Sequence, residues 1–291
     1  MRCCDHPPVI GALCKEHFLS SFEDRVQKTI EEFSLIGKGQ RVAVAVSGGK
    51  DSLVLLTLLH RFGYDVIAIA IDEGIAGYRE RTLVDARRVC DAYHIPLRVF
   101  SFEELAGDTL DGLRKKHGFT ACAVCGVFRR HLLHRASKGF DVLATGHNAD
   151  DESQAVLMNL VKGNTELFSR LGPRSGTGLP GFTPRVKPLY FCTEKEVATY
   201  AFLSGILGEF IECPYAHESY RGTIRDALNG VAGPEERRTL LRRFLVAKAG
   251  MQDTEASRHN SARMIRACVS CGEPTSKERC AACSYLVAFA R

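Results

Sequence analysis

RVAVAVSGGKDSLVLLTLLHRFG, residues 41–63, decides the fold. RVAVAV (41–46) is an apolar run of the kind that forms a buried strand, and LVLLTLLHRFG (53–63) has an apolar helical pattern. Between them lies SGGKDS (47–52). Gly48 and Gly49 let the backbone turn tightly, so that its amides can point at an anion beside a helix N-terminus that favours negative charge. Lys50 adds a point charge, and Ser47 and Ser52 add hydroxyls. The loop is not a Walker A sequence, because Val44 stands where glycine is needed and Asp51 where serine or threonine is needed. A plain glycine turn between strand and helix is the bland alternative. Lysine, aspartate and serine gathered at one helix start argue against it.

Working outward, VIAIAID (66–72), PLRVFSF (96–102) and DVLATG (141–146) read as further strands, and RTLVDARRVCDAYH (81–94) as a helix. Strand and helix alternate, which predicts an α/β fold: a parallel sheet with helices on both faces. SSFEDRVQKTIEEF precedes this unit and reads as a helix, as do TEKEVATYAFLSGI and PEERRTLLRRFLVAKAG after it. GPRSGTGLPGFTPR (172–185) reads as a mobile Gly/Pro-rich loop. The expected organisation is an N-terminal zinc-binding module with a linking helix at 1–36 and a nucleotide domain at 37–190. A helical part carrying Cys213 follows at 191–265, and a Cys-rich module at 266–291.

The chain of 291 residues is long enough for one large domain with attachments, and its 45% hydrophobic and 25% charged content is ordinary for a globular protein. A net charge of +5 permits a nucleic-acid partner without demanding one. No apolar run reaches bilayer length, and MRCCDHPPVI lacks a signal-peptide core, so a cytoplasmic protein without a membrane partner is expected. In that compartment twelve cysteines point to metal or redox chemistry rather than disulfides.

The tail reads Cys268-x2-Cys271-x8-Cys280-x2-Cys283, four thiolates that can close on one structural zinc. The N-terminus carries Cys3-x2-His6-x7-Cys14-x2-His17, a second zinc set in which the adjacent Cys4 could replace a ligand. Cys90 and Cys192 lie in apolar surroundings and read as core. That leaves TACAVCGVFRR (120–130), whose Cys122 and Cys125 have no second pair beside them, and Cys213 in ECPY, where a proline-bounded turn can present the thiol. Two cysteines from one segment and one from afar suit an iron–sulfur cluster with an open iron. A redox pair, or a cysteine that carries a persulfide, remains a rival.

The loop SGGKDS resembles the PP-loop of ATP pyrophosphatases, and ATGHNADDE (144–152) is similar to that family's second motif. Together with terminal zinc sets, a central Cys-x-x-Cys and a later lone cysteine, the chain resembles the TtuA/NcsA group of tRNA 2-thiouridine synthetases over nearly its whole length. The resemblance implies that Ala45, Ser47, Gly48, Gly49, Lys50, Asp51, Ser52, Arg129 and Gly146 bind ATP. It makes Asp151 catalytic through Mg²⁺ and places a 4Fe–4S cluster on Cys122, Cys125 and Cys213. It implies adenylation of the uridine C2 oxygen followed by sulfur transfer. The sulfur donor would be a ubiquitin-like thiocarboxylate carrier or sulfide, and the protein a homodimer. CGVFRR (125–130) and the YRG at 220–222 look like the wobble-uridine branch, whereas the T-loop branch has lysine at the position of Arg129. For Asp150 and Asp151 the bland reading is helix capping.

The runs Arg129–Arg130, Arg237–Arg238 and Arg242–Arg243 could contact RNA phosphates, and the last two could equally be solvated helix faces. Two other functions fit the residues: thiolation of a T-loop uridine, a tRNA cytidine or a small molecule by the same chemistry, or a non-enzymatic zinc-ribbon RNA-binding module that would not bind ATP.

Overall fold

Val42, Ala43 and Val44 are fully buried, and so unbroken an apolar run needs strand neighbours on both edges and helices on both faces. The computed structural model supplies both, and describes residues 4, 6–176, 181–206, 208–209, 211–218, 220–252 and 265–290. The chain begins with α1 (Lys15–Glu32), β1 (Arg41–Ala45), α2 (Lys50–Arg61), β2 (Asp65–Asp72) and α3 (Arg79–Ala92). It continues with β3 (Leu97–Ser101), α4 (Phe102–Ala106), α5 (Leu110–His117), α6 (Ala121–Ala136) and β4 (Val142–Thr145). Next come α7 (Ala149–Val161), α8 (Thr165–Ser169), β5 (Arg174–Ser175), β6 (Arg185–Val186), α9 (Glu194–Leu203) and a single 3-10 turn (Ala216–Glu218). The last elements are α10 (Arg221–Val231), α11 (Pro234–Gln252), β7 (Arg266–Ala267), β8 (Pro274–Thr275) and α12 (Ala281–Phe289).

The main sheet has the order β3-β2-β1-β4-β6-β5. It is parallel from β3 to β6, with Val42 opposite Val66 on one side and Val142 on the other, and only the edge strand β5 is antiparallel. This is the α/β architecture that the alternation predicted. The chain leaves β1 for β2 on one side and later returns to β4 on the other. The C-terminal ends of β1 and β4 therefore flank the crevice where open α/β sheets bind ligands.

One expectation is corrected here. The Gly/Pro-rich stretch is not simply a mobile loop: its ends pair as β5 and β6, and β6 extends the sheet, with the Leu143 amide donating to the Pro184 carbonyl at 2.8 Å. Strands of two residues carry no periodic signal, and only the tertiary neighbour β4 makes them. Residues 177–180 of the stretch lie outside the described ones.

Side chains alternate across β1, so Val42 and Val44 face one layer and Ala43 the other. On the first face α2, buried at every position from Ser52 to Leu59, packs with α1 and α9, where Phe22 stacks on Tyr200 at 4.6 Å. Cys90 and Cys192 belong to this core, as expected. On the second face α6 contributes Val124, Phe128 and Leu132, and the C-terminal segment docks on it. Phe128 meets Tyr285 and Phe289 edge-on at 6.2 and 6.0 Å, contacts worth about 0.5–1.5 kcal/mol each beyond their buried area. Buried Glu273 adds an ion pair to Lys138 at 2.7 Å and lies 3.1 Å from His134. Among the described residues no helix is long and apolar enough to cross a membrane.

Candidate active site and metal centres

The loop between β1 and α2 is built by its own side chains. The Ser47 amide donates to Ser52 Oγ at 3.1 Å, the Gly49 amide to Ser47 Oγ at 3.2 Å, and Ser52 Oγ to the Gly49 carbonyl at 2.9 Å. Gly49 is the N-cap of α2 and carries no capping side chain, which leaves the positive end of that helix open to an anion. Gly48 has φ +84°, and a Cβ there would stand 2.0 Å from the Thr82 carbonyl oxygen of α3. Gly48→Ala is expected to cost about 1–2 kcal/mol from the left-handed backbone alone, with the clash adding to it, and to weaken ATP binding. Urea unfolding and nucleotide titration check this. A variant as stable and as ATP-avid as the wild type would reject the loop as a phosphate seat.

Behind the loop sits a pair that the sequence did not reveal. Arg79, 3% exposed, donates from Nη1 to the Ser47 carbonyl at 2.5 Å, while its Nε lies 3.0 Å from buried Glu73. Removing one partner of so buried a pair costs on the order of 3–5 kcal/mol. Glu73 also faces Arg129, 3.7 Å away and half exposed, so one carboxylate stands between the loop's support and α6.

The second motif lies alongside. A Cβ on Gly146 would come within 2.9 Å of the Asp51 carbonyl carbon and the Ser52 nitrogen, so only glycine lets the end of β4 approach the start of α2 this closely. Asn148 caps α7, accepting from the Asp150 and Asp151 amides, while its own amide donates to Asp151 Oδ2 at 3.2 Å. Asn148 Nδ2 donates to Asp51 Oδ1 at 2.9 Å, which joins the two motifs. Lys50 Nζ pairs with Glu194 at 2.9 Å and Asp51 at 3.3 Å. Arg221, from the YRG segment, pairs with Asp151 at 2.9 Å. Burial pushes the Asp51 carboxyl above its usual range, as it does that of Asp151, and Lys50 and Arg221 respectively pull against it. Burial works against the Lys50 charge, yet Asp51 and Glu194 outweigh it and hold the ammonium firmly protonated. Asp150 proves structural, accepting from the Glu194 amide at 2.7 Å and pairing with Arg237. Asp151 caps and faces the crevice at once. The ensemble is an anion seat next to two carboxylates whose oxygens suit a hard divalent cation.

Cys122 and Cys125 lie on the first turn and a half of α6, and Cys213 lies on the turn before the 3-10 segment. Cys122 Sγ is 3.4 Å from the Tyr215 carbonyl. Glu218 clamps the two segments together, accepting from the Ala121 amide at 3.0 Å and from Arg114 at 2.6 Å. Each thiol is within electrostatic reach of the other two and of Arg129. Burial pushes Cys125 up to about 11 and also raises Cys122 and Cys213. Thiols kept protonated in this way make poor free nucleophiles, and a metal must displace their protons. Among the described residues only the two terminal sets bring three or more ligand atoms within 4.8 Å of one another. The sulfurs of Cys122, Cys125 and Cys213 are not one of these sets.

In the tail, all four sulfurs of Cys268, Cys271, Cys280 and Cys283 lie within 4.8 Å of one another, with Cys271 and Cys280 at 3.8 Å. A tetrahedron with a metal–sulfur distance of about 2.3 Å puts its thiolates about 3.8 Å apart. Amides of Cys280 and Cys283 point at sulfurs of the set, the kind of hydrogen bond that steadies thiolate. Cys268→Ser is expected to lose one zinc equivalent and loosen the docked tail while iron stays bound. Metal analysis with the visible spectrum checks this, and loss of iron instead would mean the metals are assigned to the wrong cysteines. At the N-terminus Cys4, His6 and Cys14 converge within 4.8 Å, and His17 Nδ1 lies 3.2 Å from Cys14 Sγ. Cys3, expected as a ligand, lies outside the described residues, and Cys4 stands in the set.

The first basic run of α11, Arg237–Arg238, needs correction, whereas Arg242 and Arg243 are exposed. Arg237 is buried against Asp150 at 3.0 Å, and Arg238 binds Glu196 and the Phe191 carbonyl. Arg242 pairs with Glu32 at 3.1 Å over the Phe191 ring. Arg237 and Arg238 are therefore neither RNA contacts nor a solvated face: they fasten α11 to the body. Their acidic partners are remote in sequence, which hid the pairing.

Residues 19–228 match the PP-loop domain family. The chain is 38% identical over 289 residues to the cytoplasmic tRNA 2-thiolation protein 1 of Drosophila ananassae, covering 96% of this chain and 83% of that protein. With the protein of the same name from Drosophila virilis it shares 42% over 228 residues, 75% of this chain and 66% of the other. In three dimensions it is similar to the U34-tRNA thiolase NcsA from Methanococcus maripaludis, solved with its [4Fe-4S] cluster. The TM-score is 0.82 at 30% identity, covering 98% of this chain and 94% of that one.

Proposed function

The chain belongs to the PP-loop family of tRNA 2-thiolation enzymes, and from that premise we propose that it makes 2-thiouridine at the wobble position, with ATP activating the uridine C2 oxygen. The observation that supports this reading is the link through Glu73 between the β1–α2 loop and the cysteine-bearing helix α6. An open helix N-terminus with Lys50 lies at the end of β1, and three cysteines from two segments lie around Arg129, which Glu73 connects to the loop.

The ATP phosphates rest on Ser47–Ser52, where the amides and Lys50 hold the negative charge that grows on pyrophosphate as it leaves. Lys50 meets that charge by turning from Glu194. Asp51 and Asp151, both destabilised as anions by burial, offer their oxygens to Mg²⁺. The uridine oxygen attacks the α phosphorus, AMP is attached to it, and a sulfur nucleophile then displaces AMP. A 4Fe–4S cluster held by Cys122, Cys125 and Cys213 would supply an iron open to that sulfur. The terminal sets would hold two structural zinc ions. Sulfide or a thiocarboxylate carrier would serve as donor, in the cytoplasm.

The wobble assignment draws on the U34 specificity of the NcsA thiolase and on Arg129 in place of lysine. The test is anaerobic reaction of the cluster-loaded full chain with a tRNA transcript, ATP and sulfide, followed by nucleoside analysis and mapping. Sulfur at position 34 is expected. Sulfur in the T-loop, or on cytidine, would overturn the assignment.

A further inference from the structure

We propose that Arg130 and Arg185 form a seat for one backbone phosphate of the RNA, on the shoulder of the cysteine pocket; this rests on the tRNA-thiolation reading and adds a site to it. Around the crevice most guanidiniums are already neutralised, Arg79 by Glu73, Arg221 by Asp151 and Arg237 by Asp150. Arg130 and Arg185 have no carboxylate within 4 Å among the described residues, although they are neighbours: Arg185 Nη2 points at the Arg130 carbonyl at 3.5 Å. Arg130 also folds back along α6, its Nη1 3.4 Å from where a Cβ on Gly126 would stand. Its charge therefore lies back along α6 toward the residue that follows Cys125, rather than down the helix. Burial lowers the pKa of both guanidiniums, and Arg129 depresses Arg130 as Arg130 depresses Arg185. Two like charges within electrostatic reach of each other thus have no carboxylate partner among the described residues, and a phosphate with two oxygens to share is the ligand that relieves this. ATP has its own seat at the N-terminus of α2. The phosphodiester next to the reacting uridine fits the remaining one.

The experiment titrates the wild-type full chain, Arg130→Ala/Arg185→Ala, and the control Arg87→Ala/Arg98→Ala with tRNA over a range of salt, alongside ATP titration, iron and zinc content, and thiolation kinetics. Arg87 and Arg98 are exposed on the outer elements α3 and β3, so the control removes equal charge elsewhere. For the Arg130/Arg185 variant, tRNA binding about three- to tenfold weaker at 0.1 M salt is expected, with a slope of log K against log salt shallower by about 0.7–0.9. Its KM for tRNA should rise while kcat, ATP affinity and metal content hold. An unchanged slope, an equal loss in the control, or a parallel loss of ATP affinity would each overturn the seat. Failure of the wild type itself to thiolate tRNA would instead strike the functional reading beneath it.

Discussion

Cys213→Ser is expected to remove iron and thiolation together while ATP affinity and zinc content stay at wild-type values. On the proposed reading Cys213 brings the third leg to a cluster whose other two come from α6, and two thiolates hold a cluster poorly. The proposed phosphate seat is a separate loop stabilised by Ser47, Ser52 and Arg79, so the nucleotide should not sense the loss. Cys122→Ser and Cys125→Ser should behave alike, since on the proposed reading all three thiolates hold the same cluster. A persulfide enzyme would behave otherwise: one cysteine would be indispensable and iron-free protein would be active. Thiolation under anoxia, measured beside iron content, separates the two. Full activity without iron would reject the cluster.

For Lys50→Ala, thiolation should fall about 10²–10³-fold, the loss that follows removal of one preorganised donor from a developing anion. The fold should survive, because Lys50 is on the first turn of α2 and its only ion-pair partners among the described residues are Asp51 and Glu194. Metal content should survive too, since no sulfur depends on Lys50. A well-folded Lys50→Ala protein with normal turnover would refute the phosphate seat. Rate, thermal unfolding and metal analysis on one preparation suffice.

What could be read before folding was what is local. Strand, glycine turn, lysine and helix fall within twenty residues at 41–60, and each Cys-x-x-Cys pair lies within one turn of chain, so spacing alone carries the chemistry. The partnership of Arg79 and Glu73 was invisible because GYRERTLVD reads as a polar helix start, and nothing in it says that its first arginine is buried beneath Ser47. Arg237 and Arg238 misled for the same reason: Asp150 and Glu196 reach them from other elements. Strand β6 escaped because its apolar content is a single residue, Val186, and the neighbour that makes it a strand is β4. Charge whose partner is distant is read as exposed, and burial is decided by topology rather than by the residues around it.

The division of the proposed cluster ligands between α6 and the Cys213 turn has a consequence for biosynthesis. While the ribosome is still extending the chain through α7 and α9, the emerging polypeptide carries two of the three thiols and neither the clamp from Glu218 nor the brace that Tyr285 and Phe289 give α6. A nascent or truncated chain thus presents an exposed dithiol, open to oxidation and to stray soft metals. On the proposed cluster reading, iron would be loaded late, once the Cys213 turn and the C-terminal segment have been made. On the same reading, chains that stop short of residue 213 lack the third ligand and would not hold the cluster.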